Sequence, residues 1–229
     1  MSRILQIDTA LNTAIVSIAQ NGELLHELVN NNQKDHAGFL QPAIDTILKE
    51  SGLTLKTIDA IAVSAGPGSY TGLRVGMASA KGLAFALNKP LITIGTLEIM
   101  TKNAIMQDEK LHSDDGRLYC PMIDARRMEV YTALYDHMLN ILFEPSAMIL
   151  TPDSFANWLL KNKICFFGNG ASKFQTICTH PNASFLLTLN NSLAMNKLAL
   201  EKYINNNFAD VAYSTPFYLK EFFSEPGKK

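Results

Sequence analysis

The sequence predicts an α/β protein of two lobes, each a mixed sheet with helices. Strand and helix patterns alternate along the 229 residues, and a polar stretch at 107–117 divides them into two sets. We therefore predict an N-terminal lobe at 1–106, a linker at 107–117 and a C-terminal lobe at 118–229. No apolar run approaches the ~20 residues of a membrane span, and the N-terminus lacks a signal-peptide pattern. We expect a cytoplasmic protein without membrane contact.

The N-terminal lobe is predicted to begin with an antiparallel meander. Asn21-Gly22 stands between two apolar runs and favours the positive φ angles of a hairpin turn. The apolar periodicities predict helices at 36–48, 70–87, 151–160 and 192–203, and strands at 4–7, 14–19, 23–29, 58–63, 91–94, 118–123, 128–135 and 164–167. Thr96 can cap a further helix that follows the strand at 91–94.

Charge and residue spacing argue against several classes of function. The chain carries 20 Lys and Arg against 21 Asp and Glu, so it lacks the basic balance that tight, independent nucleic-acid binding needs. No two of its five histidines stand at i, i+4, and its three cysteines form no CxxC pair. No spacing supports a Ser/His/Asp or Cys/His set, which argues against a peptidase. We predict no catalytic residue and no metal ligand.

A glycine-rich loop precedes the helix predicted at 70–87. A strand, a loop with Gly66 and Gly68, and a helix start together can hold an anion. The loop matches neither GxxxxGK[ST] nor GxGxxG, so a tight structural turn is the alternative to a phosphate site.

The helix at 70–87 is apolar on nearly every side, with Arg74 and Lys81 as its charged residues. Its interior glycines each cost about 1 kcal/mol relative to alanine, which a sequence tolerates where backbones approach closely. Such a helix is buried on most sides. Either the chain wraps it completely, or it is half core and half interface, with the helix at 36–48 beside it. A stripe of small residues follows every fourth position: Gly72, Gly76, Ala80 and Ala84.

Several motifs together resemble one family. The most specific is Ala-Gly-Pro-Gly-Ser-Tyr-Thr-Gly-Leu-Arg-Val-Gly at 65–76 with the helix after it. Others are Ile-Asp-Thr at 7–9, Ile-Asp-Ala-Arg-Arg at 123–127 with Glu-Val-Tyr at 129–131, Gly-Asn-Gly-Ala at 168–171, and Pro-Phe-Tyr-Leu-Lys at 216–220. The chain resembles the TsaB (YeaZ) family, collinearly over almost its whole length.

The resemblance implies an actin-like, Hsp70-like ATPase fold of the ribonuclease H-like type. It implies a non-catalytic subunit that pairs with TsaD and recruits TsaE. That complex transfers threonylcarbamoyl to the tRNA adenosine next to the anticodon. Further expectations are a homodimer when TsaD is absent, tRNA contact only through the complex, and no cofactor of its own, since ATP is used by the complex.

The resemblance and the apolar helix together indicate a partner interface on the first two helices. Arg74 and Lys81 are expected to pair with acidic groups of the partner. The predicted interface residues are His36, Phe39, Leu40, Ala43, Ile47, Tyr70, Leu73, Arg74, Gly76, Met77, Ala80, Lys81 and Ala84.

Four residues are candidates for the remnant of a nucleotide site: Asp8, Thr9, Gly168 and Gly170. A capping carboxylate and bare turns are the alternatives. A hairpin with Asp124, Arg126, Arg127 and Glu129 is either a solvated turn with ion pairs or a groove-lining, partner-facing element. The competing function is a nucleotide-binding actin-like ATPase with its own activity.

Overall fold

The computed structural model describes residues 1–32, 35–108, 116–188 and 192–220, and within them the chain forms two five-stranded sheets covered by helices. The strands are β1 Arg3–Asp8, β2 Ala14–Gln20, β3 Glu23–Asn30, β4 Ala60–Gly66, β5 Leu91–Gly95, β6 Leu118–Asp124, β7 Glu129–Tyr135, β8 Ile141–Ile149, β9 Ile164–Phe167 and β10 Ala183–Leu186. The helices are α1 His36–Glu50, α2 Tyr70–Leu87, α3 Thr96–Asp108, α4 Ala156–Leu159, α5 Ala171–Gln175 and α6 Leu193–Ile204.

The two sheets have the same topology. The first has the order β3-β2-β1-β4-β5, and the second, read from its other edge, has the order β8-β7-β6-β9-β10. In chain order, the first strand of each sheet (β1 or β6) is antiparallel to the second (β2 or β7) and parallel to the fourth (β4 or β9). The fifth strand is parallel to the fourth. The chain thus contains one sheet pattern twice, which the sequence did not indicate by any repeat.

The first hairpin is formed as predicted. Asn21 and Gly22 have φ angles of 51° and 85°, and they join β2 to β3. The central strands of the first sheet, β1 and β4, are almost entirely buried because helices cover both faces. The carboxyl end of β1 therefore lies beside the loop that follows β4, since parallel strands end at the same sheet edge.

Helix α3 lies between the sheets. Ile99 packs in the core on one face of the first sheet, whereas Leu97, Met100 and Ile105 pack against the second sheet. Helix α6 follows the second sheet in sequence, yet Met195 and its neighbours pack against the first sheet. The two lobes therefore share buried apolar residues. The lobe bounds at 1–106, 107–117 and 118–229 remain a prediction, because 109–115 lie outside the described residues.

Two sequence-based assignments need correction, and two strands and one α-helix were not predicted. The strand predicted at 58–63 is shifted to Ala60–Gly66. The helix predicted at 151–160 is reduced to Ala156–Leu159, because Thr151 and Ser154 form a hydrogen-bonded turn and Phe155 has a φ of 62°. The unpredicted elements are β8, β10 and the five-residue helix α5. Strand β8 lacks a clear signal because it is the half-exposed edge of its sheet and has Pro145 inside it. The C-terminal tail at 221–229 lies outside the described residues.

Candidate partner interface and interlobe cleft

Helix α2 has defined ends. The Ser69 side chain caps its first turn by accepting a hydrogen bond from the Gly72 N–H at 3.3 Å. Asn88 ends it in a left-handed conformation, with φ 50°. The predicted bounds of 70–87 are therefore confirmed.

The small-residue stripe of α2 faces its own lobe. A Cβ atom on Gly72 would overlap the Thr9 carbonyl oxygen, and one on Gly76 would overlap the Thr9 hydroxyl. The Thr9 Oγ1 donates a hydrogen bond of 2.7 Å to the Gly72 carbonyl. Ala80 and Ala84 continue the stripe into the core. The stripe thus lets the helix backbone lie directly on the end of β1.

This packing buries most of the predicted interface residues within their own lobe. Nine of its residues are buried in the first lobe, because the closely packed stripe of α2 and the apolar rows of α1 both face the sheet. Residues buried in this way present no side chain to a partner, and Phe39 is half-buried. The nine are His36, Leu40, Ala43, Ile47, Leu73, Gly76, Met77, Ala80 and Ala84.

The remaining three predicted residues contact a segment from the end of the chain. We call residues 208–220 the C-terminal strap. Lys81 donates hydrogen bonds to the carbonyls of Ala212 and Ser214, at 3.0 and 2.8 Å. The predicted pairing of Lys81 with a partner carboxylate is thus replaced by an intramolecular contact.

The strap continues along α2 to the loop before the helix. The Arg74 Nε donates to the Tyr218 hydroxyl at 3.3 Å, and its guanidinium lies 4.2 Å from the centre of the Tyr70 ring. The rings of Tyr70 and Tyr218 are 5.2 Å apart, and the Phe217 N–H donates to the Ala65 carbonyl. Sequence reasoning treated 216–220 as a motif without a role. The aromatic residues Phe217 and Tyr218 in this motif were the sequence signal that could have indicated packing against the helix.

An uncharged face of α2 is left exposed. We call it the outer face, and Phe85 is its largest member, with 82% of its surface exposed. A Cβ on Gly82 would meet no atom within 4 Å. Gln41 of α1 borders this face by donating to Ser79 Oγ at 3.1 Å. Five residues of the outer face are exposed and two are half-buried. The exposed residues are Thr71, Ala78, Gly82, Phe85 and Ala86, and the half-buried ones are Val75 and Ser79.

A cleft of about 710 Å³ separates the two lobes. Its first wall is formed by the β1–β2 turn and the start of α2, and its second wall includes Asp124, Arg126 and Asn169. Of the described residues that line the cleft, Asp124 is acidic, and its carboxylate is paired with Lys173 at 2.7 Å. In the described part of the chain, no group of three or more His, Cys, Asp or Glu residues could hold a metal ion.

The four candidate remnant residues do not line this cleft. Asp8 accepts a hydrogen bond of 3.1 Å from the Ala10 N–H, and the Thr9 N–H donates to Ser64. Cβ atoms on Gly168 and Gly170 would overlap neighbouring chain atoms, including the Met122 carbonyl for Gly168. These contacts account for the four residues by internal packing, and their descent from a nucleotide site remains a prediction.

The Asp8 carboxyl has a raised pKa. Burial disfavours its charged form and outweighs three opposing effects: hydrogen bonds from Ser64 and from the Ala10 N–H, and the nearby His36 ring. A carboxyl whose pKa is higher in the folded state stabilises the fold when protonated, and that contribution is lost as the pH rises through the folded-state pKa.

Replacing Asp8 with Asn should therefore stabilise the protein at pH 7. The amide oxygen keeps the acceptor for the Ala10 N–H but carries no charge to desolvate. The measurement is the urea midpoint of unfolding between pH 4 and pH 7, and the gain should shrink towards pH 4, where the native carboxyl is increasingly protonated. A lower midpoint for Asp8→Asn at pH 7 would mean that the charged form is favoured in the fold.

A family model described as TsaD: tRNA N6-adenosine threonylcarbamoyltransferase matches residues 23–221. The tRNA threonylcarbamoyladenosine biosynthesis protein TsaB of Haemophilus influenzae is 30% identical over 228 residues, covering 95% of this chain and 93% of its own. The chain belongs to the TsaB (YeaZ) family. The solved structure of YeaZ from Pseudomonas aeruginosa has a TM-score of 0.78 and 26% identity, covering 96% of this chain and all of its own.

TsaB membership confirms the predicted fold class. A polyphosphate/ATP-glucomannokinase from Arthrobacter has a TM-score of 0.51 at 10% identity over 90% of this chain and 100% of its own, which supports the fold alone. The duplicated sheet topology is that of the two-lobed actin-like, ribonuclease H-like class. Among the helices of the described residues, none combines the length and apolar character needed to cross a bilayer.

Proposed function

We propose that this chain is a non-catalytic, cytoplasmic subunit that pairs with a TsaD-like enzyme through the outer face of α2. A role in tRNA threonylcarbamoyladenosine biosynthesis follows from family membership. The pairing itself is carried by one observation, which is an exposed helix face with no charged member and with the Phe85 ring 82% exposed on it.

Such a face gains from being covered. Full burial of a phenylalanine side chain contributes about 1.5–3 kcal/mol, before the cost of association. The small residues Ala78 and Gly82 lie beside Phe85 and let a partner backbone approach closely. The outer face therefore combines an apolar anchor with small neighbouring residues, and apolar anchors dominate the energetics of many protein interfaces.

A related fold is the partner that fits this face best. The TsaD model matches residues 23–221, a range that includes the sequence of both α1 and α2. Two related chains can therefore place equivalent helices against each other around a pseudo-two-fold axis. The same geometry accommodates a second copy of this chain, so we propose a homodimer when the TsaD-like chain is absent.

The other components enter through this pair. In the proposal a TsaE-like chain joins the TsaB–TsaD pair, and ATP is used by the assembled complex. The net charge of −1 supports tRNA binding by the assembled complex and not by this chain alone.

Reconstitution tests the proposal. We expect the chain to co-purify with TsaD-like and TsaE-like chains of its own organism, in an assembly whose intact mass includes this chain. The three together should modify tRNA in the presence of ATP and the threonylcarbamoyl donor, whereas this chain alone should not. An equal rate of modification without this chain would contradict the proposed role.

The competing function is an ATPase that uses the cleft between the lobes, whose volume of about 710 Å³ favours this alternative. Calorimetric titration of the isolated chain with ATP–Mg²⁺ separates the two functions. The proposed subunit should give no saturable heat of binding. Stoichiometric binding followed by phosphate release would favour the ATPase.

A further inference from the structure

The turn between β6 and β7 places two arginines side by side in an unusual backbone conformation. Arg126 and Arg127 have φ angles of 72° and 49°, in the left-handed region that favours glycine or asparagine. The turn is closed by hydrogen bonds of 3.0 Å, from the Ala125 N–H to the Glu129 carbonyl and from the Glu129 N–H to the Arg126 carbonyl. Backbone of this kind occurs often at binding sites, where neighbouring contacts hold it.

Neighbouring side chains hold this turn and neutralise its carboxylates. Asp124 accepts hydrogen bonds from the Arg126 N–H at 2.6 Å and from Lys173 at 2.7 Å. Glu129 forms an ion pair of 2.6 Å with Lys220 of the strap. The two carboxylates are thus paired with lysines, and within the described residues neither arginine has a carboxylate partner. Two adjacent, exposed guanidinium groups therefore stand on a chain whose net charge is −1.

The surroundings of the turn combine this charge with apolar surface. Beside it lies a hollow of about 540 Å³, lined by both arginines, the Glu129–Lys220 ion pair, Ala125 and the apolar side chains of Met128 and Ile149. Ile149 is 70% exposed, which is high for an isoleucine at a strand end. A guanidinium binds phosphate oxygens through two parallel hydrogen bonds. The apolar side chains next to it can contact a ribose or a base.

We propose that the turn with Arg126 and Arg127 binds the sugar-phosphate backbone of the tRNA substrate. This inference rests on the proposed function, because a chain without a basic surface meets RNA only within the complex. Its contribution is local: two phosphate contacts at the mouth of the interlobe cleft, which Arg126 also lines. Two adjacent guanidinium groups with no carboxylate partner among the described residues match the spacing of successive phosphates, which favours a nucleic-acid backbone over an acidic protein segment.

The test uses the complete complex with tRNA. Arg126→Asn and Arg127→Asn are combined, since asparagine adopts the left-handed conformation more easily than arginine and so keeps the turn. We expect the tRNA affinity of the complex to fall about tenfold, and the slope of log affinity against log salt to decrease by roughly 1–2, as for two lost phosphate contacts. Co-purification with the TsaD-like chain and the melting temperature should be unchanged.

Two matched variants control for charge and for structure. Lys161→Asn with Lys197→Asn removes the same charge from exposed positions elsewhere and should leave the salt slope unchanged. Arg126→Lys with Arg127→Lys keeps the charge and should retain most of the slope.

Two results would overturn the inference. One is an unchanged tRNA affinity in an intact complex that carries the asparagine variant. The other is loss of the TsaD-like chain from the complex, which would assign the arginines to a protein partner. Failure of the unmodified chain to enter any complex would instead contradict the proposed function, and with it the basis of this inference.

Discussion

Replacing Phe85 with Asp should weaken pairing with the TsaD-like chain by about 100-fold or more, with the fold intact. The ring is 82% exposed in the isolated chain, so its removal loses few internal contacts. In a complex the same position would bury a carboxylate and lose the 1.5–3 kcal/mol that burial of the ring contributes. The measurement is the dissociation constant of the purified pair, together with the melting temperature of the variant alone.

Leu187→Asp is the matched control. Leu187 has 85% of its surface exposed, and it follows β10 in the second lobe, away from the outer face. Its replacement should leave pairing unchanged. If Phe85→Asp pairs as tightly as the unmodified chain, or if both variants weaken pairing equally, the outer face of α2 is not the specific interface.

Adding one methyl group at Gly72 should destabilise the chain strongly. The new Cβ would overlap the Thr9 carbonyl, which is backbone at the end of β1 and cannot rotate away. Overpacking of this kind costs about 3 kcal/mol, which corresponds to a fall in melting temperature of roughly 6–12 °C for a domain of this size.

Gly82 of the same helix provides the comparison. Its Cβ would enter open space, so Gly82→Ala should raise the free energy of unfolding by up to about 1 kcal/mol through helix propensity alone. Equal effects at the two positions would show that α2 does not pack against β1 as described.

The fold was largely predictable because its signals are local. The Asn21-Gly22 turn and the apolar runs on either side of it define the first hairpin. The bounds of α2 follow from Ser69 and Asn88 at its ends. The elements that were missed or shortened lack such signals: β8 is an edge strand, and the turn at Thr151–Ser154 replaces the helix start that Pro152 favours.

The location of the interface stays a prediction, and most of the residues predicted for it lie buried within the lobe. Periodicity identifies a stripe of small residues, yet it does not tell whether the neighbour of that stripe belongs to the same chain. Here the neighbour is Thr9, which Gly72 and Gly76 contact closely. Lys81 and Arg74 were assigned to a partner because their true contacts, Ser214 and Tyr218, lie far away in sequence. The outer face of α2 could not be identified from the sequence, because which residues stay exposed depends on three-dimensional packing.

The C-terminal strap is made long after the helix that it flanks. Lys81 and Ser214 are separated by 133 positions, so at roughly 5–20 residues per second the ribosome makes α2 on the order of ten seconds before Ser214. During that interval Lys81 and the Tyr70 ring lack their contacts with the strap. The side of α2 beside the strap is therefore completed late in translation, whereas the outer face contains no strap residue and does not depend on it.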